Sequence, residues 1–445
     1  MKFTFAVIFL CLSAVSLLAQ MPNEVLATAT GLTFTQSSLS ENGRKIYLGQ
    51  AKILSSERTR LLSQMVDGLL LESEAKSSGA TNDSLIAAEL KKIAKPTEAE
   101  IKAIFDANKA NFGEQPIDAV RSRIVAFLRQ NAEQKAFRDL IENLKLKYKF
   151  TSGKDINAAD LKPLESIFLI GGKSASAAEF DERYKAAIYD MRGEIADEII
   201  ADLENTIFST LVNQEAKIRN IEAGDVIAVE ITNKMREFSN EERSELEGAF
   251  RTKLFSKFNV KILVREPEPV AQNVSVDDDP VNGKSTAAVT VIMFSDFQCS
   301  ACGATHPILK KVIAEYGDKV RFVVRDFPLE SVHENAFRAA LAANAARAQN
   351  KYFEYIDVLY LNQESLDEAS LKKYAVELGL NIKQFELDFS SEKTAAEVRK
   401  DMADGKNYGV GSTPAIYVNG VKLRRLSAEN FRNVIGRTLA KSATK

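Results

Sequence analysis

The spacing of apolar and polar residues changes once along the chain. From about residue 21 to 265 the apolar positions recur at helical intervals. In SSERTRLLSQMVDGLLLESEAKSSG, Leu62, Met65, Val66, Leu69 and Leu70 step by three and four and share one helical face. EQKAFRDLIENLKLKYKF has the same period. PTEAEIKAIFDANKANF predicts a further helix, with Pro96 before it, Thr97 as N-cap and Glu100 as the reciprocal member of a capping box. After Ala288 the pattern becomes that of strands alternating with helices. AVTVIMF is a continuous apolar run, CSAC opens a helix that continues through LKKVIAEY, and VRFVVRDF at 320–327 predicts a second strand. Helical segments fill about 332–405. STPAIYVNGVKL reads as two strands joined at Asn419 and Gly420, a pair suited to a tight hairpin turn. A closing helix starts from Ser427 as N-cap. That order predicts an α/β domain with a helical insertion over 288–445, preceded by a mostly α-helical region.

Within the helical region the chain repeats itself. LLLESEAK at 69–76 lies over TLVNQEAK at 210–217, and IAAE at 86–89 over IAVE at 227–230, both at an offset of 141 (210 − 69 and 227 − 86). Gly31 and Leu39 meet Gly172 and Phe180 in the same register. AFRDLIENLKLKYKF at 136–150 faces AFRTKLFSKFNVKILV at 249–264 at an offset of 113, so the second copy is expected to lack the helical insert near 95–120. The expected modules are therefore 21–150 and a degenerate second copy at 151–265. EPEPVAQNVSVDDDPVNGKSTA at 266–287, polar and rich in Pro and Asp, is the expected linker or first edge of the next domain.

Composition narrows the functional classes. With 45% hydrophobic and 27% charged residues the chain is of ordinary soluble globular type, and 59 basic against 61 acidic residues leave no electrostatic footprint for nucleic acid. MKFTFAVIFLCLSAVSLLAQ carries one positive charge and an apolar run, and predicts a secretory signal over 1–20 cleaved near Ala19 or Gln20. No stable membrane span is then expected after cleavage; an uncleaved anchor facing the periplasm is the alternative. Loss of Cys11 with the signal leaves Cys299 and Cys302 alone, so no structural disulfide framework accounts for them. A zinc site would need two more ligands, and His306 and His333 lack the short spacing of a finger, so no metal is expected.

The close pair in FSDFQCSACGATHP is open to three readings: a redox pair, half a metal site, or two neighbouring thiols. FSDFQCSACGATHP, VRDFPLESVHENA, the helical insert and GVGSTPAIYVNG together resemble the DsbA-like thioredoxin-fold oxidoreductases, over about 270–445. The resemblance implies a thioredoxin fold and a redox-active Cys299–Cys302 disulfide with no other cofactor. Cys299 at the helix start is the expected nucleophile, where free N–H groups favour a thiolate, and Cys302 one turn on is the expected resolving thiol. Pro307 is expected to kink that helix. Ser412, Thr413 and Pro414 correspond to the cis-proline loop that offers backbone to an extended substrate. Ser300 and Ala301 stand where the family tunes thiolate stability, so the direction of electron flow stays open. Met293 stands where some relatives carry a buried glutamate. Asp296 is either a partial substitute or a turn or cap residue, His306 either tunes Cys302 or is a surface or packing histidine, and His333 is structural.

The first helical copy, about 25–150, resembles the N-terminal module of SurA-like and parvulin-associated periplasmic chaperones, with an echo over 167–265. This implies a client-holding surface, with a dimerisation or spacer element as the alternative. The implied partners are unfolded or cysteine-containing exported proteins, a redox-recycling protein and, in the dimerisation case, a second copy of the chain. The implied location is the periplasm. A periplasmic chaperone or assembly factor whose thioredoxin-like domain only binds polypeptide is the rival reading.

Overall fold

The structure, a computed structural model, describes residues 24–443 except residue 114. The expected signal segment, its cleavage point and Cys11 lie outside the described residues. The chain forms two compact units, one comprising the described residues up to Leu26 with Thr33–Tyr184, the other Ala27–Leu32 with Lys185–Lys445. Among the described residues no helix is long and apolar enough to cross a membrane.

In the first unit the helix Glu41–Ser78 starts where the Ser40 side chain accepts from the Gly43 N–H, and it ends at Gly79 in the left-handed region (φ 68°). Its buried stripe is Leu61, Met65, Val66, Leu70 and Leu71, whereas Leu62 and Leu69 are half-buried. The stripe is wide enough that packing against the helix Ile117–Lys147 selects a centre slightly rotated from the one expected. Helix Glu98–Ala107 begins at Thr97, whose N–H donates to Glu100 Oε2 at 2.7 Å, the expected capping box. Its Ile101 packs with Val120 and Ile124 in a small core. A three-stranded antiparallel sheet orders Thr151–Ser152, Ser166–Ile170 and Lys173–Ser176.

The order of elements recurs along the chain. Strands Val25–Ala29 and Leu32–Thr35 flank Gly31 (φ 72°), and strands Ser166–Ile170 and Lys173–Ser176 flank Gly172 (φ 78°), again 141 residues apart (166 − 25 and 173 − 32). A long, a short and a third helix follow each hairpin, and the extra helices Glu98–Ala107 and Lys109–Phe112 fall in the 95–120 stretch of the first series.

In the second unit Ala27 and Thr28 pair antiparallel with Ile262 and Lys261. From Lys185 onward the 43-residue helix Ala177–Arg219 also belongs here, and it is ion-paired to the C-terminal hairpin. Lys422 Nζ lies 2.7 Å from Asp190, and Arg424 Nε and Arg425 Nη2 lie 2.9 and 2.7 Å from Asp197. Both arginines also reach Glu266, at 3.0 and 3.2 Å. A Cβ at Gly193 would stand 2.3 Å from Arg424 Nε, so a side chain at residue 193 would require the Arg424 side chain to shift.

The main sheet has five strands in the order Val421–Lys422, Ala415–Val418, Val289–Ser295, Val320–Asp326, Val281–Asn282. The central strand Val289–Ser295 is parallel to Val320–Asp326 and antiparallel to Ala415–Val418. Its Val291 and Met293 face one core with Leu309, Val324 and Phe431, while Ile292 and Phe294 face another with Val323, Phe327 and Tyr417. Burial on both faces is why its sequence is an unbroken apolar run. The hairpin turns at Asn419 (φ 45°) and Gly420 (φ 81°), the two positive φ values of a tight turn, and a Cβ at Gly420 would stand 1.9 Å from the Gln272 carbonyl oxygen. Residue 281–282 pairing places part of the expected linker at the sheet edge.

Arg325, fully buried, is the ionic centre of this domain. Its guanidinium lies 3.0 Å from Asp401 through Nε and 2.8 Å from Asp404 through Nη2, and 5.2 Å from the Phe294 ring centroid. Asp277, Asp401 and Asp404 cluster closely enough to hold a cation, but Arg325 and Lys400 already reach into that cluster. Removing Arg325 takes the guanidinium away from the buried Asp401. Arg325→Met is expected to lower the unfolding free energy by about 3–5 kcal/mol, read as a fall in the thermal midpoint; an unchanged midpoint would show that the aspartates are neutralised by other means.

Candidate active site

The site forms where the central strand stops. After Ser295 the chain turns at Asp296, whose main-chain carbonyl accepts from the Cys299 N–H at 3.1 Å and whose Oδ1 accepts from the Gln298 N–H at 2.8 Å. Asp296 Oδ2 accepts from the Leu329 N–H at 2.9 Å and lies 2.8 Å from His333 Nδ1. Asp296 and His333 therefore anchor the turn to the loop that follows the neighbouring strand. Met293, six residues before Cys299, is fully buried in the apolar core.

Cys299 is the N-cap of helix Ser300–Ala314, with extended backbone (φ −74°, ψ 119°). It is 9% exposed and Cys302 is fully buried; both are free thiols. The Cys299 thiol is lowered to about 5, first because the Cys302 thiol donates to its sulfur, then because the Thr413 side chain and the N–H groups of Cys302 and Ala301 favour the anion, against the opposing effect of burial. The Thr413 carbonyl stands 3.5 Å from Cys299 Sγ. A carbonyl only accepts, so it serves the protonated sulfur and does not account for the lowered pKa. Cys302 is pushed up, mainly by burial and by holding its proton on Cys299, with the Ser295 hydroxyl and the Asp296 main chain acting the other way. One sulfur is thus built to be an anion and the other a thiol.

The Thr413–Pro414 bond is cis, and this loop brings residue 413 to residue 299 across 114 positions. Ser412 is exposed, as are Ser300 and Ala301 on the first helical turn. Pro307 lies inside the helix, which runs on to Ala314. His306 is buried, with Nε2 3.1 Å from Asp357 Oδ1 and its ring stacked on Tyr360 at 4.5 Å between centroids. Burial lowers its pKa, which Asp357 opposes.

Three further residues belong to the site and carry no local signature in the sequence. Gln363 Nε2 donates to the carbonyls of Phe297 at 2.9 Å and Cys299 at 2.8 Å, fixing the loop that carries the outer sulfur. A Cβ at residue 303 would stand 2.3 Å from Gln363 Oε1, so Gly303, directly after the cysteine pair, is the one trace of that contact in the sequence. Ser295 Oγ and Tyr360 OH lie 2.6 Å apart beneath Cys302. Gln363 and Tyr360 both come from the helical insertion, at the end of helix Tyr352–Leu361 and just after it.

Residues 275–437 match the family described as thioredoxin. The C-terminal part has a thioredoxin-like fold. Among curated proteins it is similar to the Na(+)/H(+) antiporter NhaA 1 of Mycobacterium sp. strain KMS, 33% identical over 169 residues, 37% of this chain and 28% of the antiporter. It is also similar to NhaA 3 of Salinispora tropica, 35% identical over 147 residues, 33% of this chain and 22% of that one. The chain thus spans about a quarter of the length of these curated relatives. Among solved structures, a thioredoxin-like oxidoreductase from Silicibacter pomeroyi DSS-3 aligns with 38% of this chain and 99% of its own at 25% identity and a TM-score of 0.35. BdbD from Bacillus subtilis aligns with 39% of this chain and 100% of its own at 21% identity and a TM-score of 0.35.

A thiol lowered to about 5 is ionised at neutral pH and regains its proton only in acid. Alkylation of reduced Cys299, followed by mass spectrometry, is therefore expected to hold its rate as pH falls from neutrality and to halve near pH 5, with Cys302 unmodified. A midpoint in the range of an ordinary cysteine would contradict the assigned N–H and thiol contacts.

Proposed function

We propose that this protein is a DsbA-like thiol-disulfide oxidoreductase of exported proteins, acting through Cys299 and Cys302. The carrying observation is the asymmetry of the pair: Cys299 is lowered at a helix start beside the Thr413 carbonyl, and Cys302 is buried behind it. In the oxidising direction a client thiolate attacks Cys299 of the Cys299–Cys302 disulfide, forming a client–Cys299 bond and releasing Cys302. A second client thiol then displaces Cys299, leaving the client oxidised and both cysteines reduced, for a recycling partner to reoxidise. In the isomerising direction reduced Cys299 attacks a client disulfide and Cys302 or a client thiol resolves the product. The loop Ser412–Pro414 offers main chain to an extended client, and exposed Ser300 and Ala301 set the balance between the two directions. The redox pair is the one cofactor the chemistry needs; no metal or nucleic acid takes part.

The N-terminal helical region, in this reading, is a SurA-like, internally duplicated module that holds unfolded clients near Cys299 and so raises the effective concentration of their thiols. The apolar segment at the start of the chain directs export to the periplasm. Cys299→Ser is expected to abolish insulin reduction and thiol oxidation, whereas Cys302→Ser is expected to accumulate client–Cys299 mixed disulfides on non-reducing gels. Full activity in Cys299→Ser would sink the enzymatic reading in favour of a polypeptide-binding chaperone. Differential alkylation of the native compartment gives the direction: mostly oxidised Cys299 marks an oxidase, mostly reduced an isomerase or reductase.

A further inference from the structure

The loop that carries Thr413 and Pro414 follows the helix Glu392–Asn407 and has a short free span, Gly411 to Pro414, between Val410 and Ala415, which are both buried. Its base is the pair of main-chain carbonyls at Tyr408 and Gly409, where the helix has ended and Gly409 takes the left-handed conformation (φ 83°). Carbonyls at a helix end have no partner within the helix. Here three side chains from other elements supply the donors. The Tyr408 carbonyl accepts from Gln272 Nε2 at 3.2 Å and from the Tyr417 hydroxyl at 3.0 Å, and the Gly409 carbonyl accepts from Lys422 Nζ at 3.2 Å.

Two of those donors tie the loop to what precedes the thioredoxin-like domain. Gln272 lies in the polar stretch expected as a linker, which is laid down as a strap. Its residues 271–276 alternate between exposed and half-buried, and Val274 and Val276 pack on the core that holds Val410 and meets Tyr408. The Gln272 N–H donates to the Gly420 carbonyl at 2.9 Å, Ala271 is bridged to Val421, and the Ser275 N–H donates to the Tyr408 hydroxyl at 3.2 Å. Lys422 Nζ also lies 2.7 Å from Asp190 Oδ2 on the helix Ala177–Arg219, and both side chains are mostly covered. An ammonium has three donors, so one nitrogen serves the carboxylate and the carbonyl together.

Resting on the oxidoreductase reading, we infer that Lys422, held by Asp190, and Gln272 are positioning residues for the loop Ser412–Pro414, so that the strap and the helix ahead of the domain set how this loop presents main chain to a client. The segment before the domain is then part of the client site as well as a tether. The cysteines are held from other directions, by the end of the central strand and by Gln363, so a fault at residues 408 and 409 acts on the recognition of an extended chain and not on the sulfurs themselves.

The test is the reduction of the oxidised full-length protein by a peptide with two cysteines and, separately, by dithiothreitol, quenched with maleimide and read by mass spectrometry. In both reactions two substrate thiols become a disulfide and Cys299 and Cys302 become thiols, but only the peptide has main chain for the loop to orient. Lys422→Met and Asp190→Asn are expected to lower the rate at limiting peptide by about 10-fold through a raised KM, with the dithiothreitol rate at the wild-type level; a misplacement of about 1 Å can cost about 100-fold. Gln272→Ala removes the contact at the other carbonyl and keeps the proposal testable if the Lys422 and Asp190 variants do not fold. Wild-type peptide rates in folded Lys422→Met and Gln272→Ala would overturn the positioning role and leave the oxidoreductase reading standing. An equal loss with peptide and with dithiothreitol would overturn it too, because these residues would then only support the fold around the cysteines. A wild-type protein that neither reagent reduces at Cys299 and Cys302 would overturn both.

Discussion

Everything at the site depends on where one strand ends. Val289–Ser295 is hydrogen-bonded to a neighbour on each side and buried on both faces, so its last residue is held more firmly than any loop could hold it. Ser295 is in register with Asp326 on one neighbour, and Phe294 with Ala415 on the other. The parallel neighbour thereby brings an acid beside Ser295, and the antiparallel one brings Thr413 and Pro414 to the mouth of the helix that begins at Cys299. Slippage of either pairing by one residue would turn those side chains to the opposite face.

The chemical asymmetry of the two sulfurs follows from that position. Cys299 caps the helix and meets free N–H groups, while Cys302, one turn in, is buried and meets Cys299, the Ser295 hydroxyl, the Asp296 main chain and Tyr360 within an otherwise apolar core. Burial penalises charge on both, but only the outer sulfur has donors enough to outweigh it. The helical insertion takes part in this arrangement: Gln363 pins the carbonyls on either side of the turn into the helix, and Tyr360 covers the inner sulfur.

A second constraint concerns the helix Ala177–Arg219. Arg424 and Arg425 sit between Asp197 and Glu266, with Arg424 partly covered against Tyr189, so the C-terminal hairpin is fastened to the segment from Lys185 onward at several points. Isolated exposed ion pairs contribute little, but a network shared among two arginines, two carboxylates and a tyrosine, with Gly193 admitting the guanidinium, fixes geometry.

What the sequence by itself determined is whatever local periodicity and local chemistry encode. The long helices, the capping box at Thr97 and Glu100, the two apolar strands, the Asn419–Gly420 turn and the start of the helix at Cys299 are all legible because each depends on residues within a few positions of one another. Tertiary structure alone decided which groups meet the sulfurs. Tyr360 and Gln363 reach the site from 61 and 64 residues beyond Cys299 (360 − 299 and 363 − 299), and as single residues at a helix end and in the turn after it they carry no pattern. It also set the surroundings of Asp296 and His306: the spacing put both near the cysteines, while distant elements supply their partners, Leu329 and His333 hydrogen-bonding to Asp296, Asp357 hydrogen-bonding to His306 and Tyr360 stacking on its ring. The physical reason is that sequence spacing sets which face a side chain occupies, while the pKa and hydrogen bonding of a buried group depend on what packs against that face.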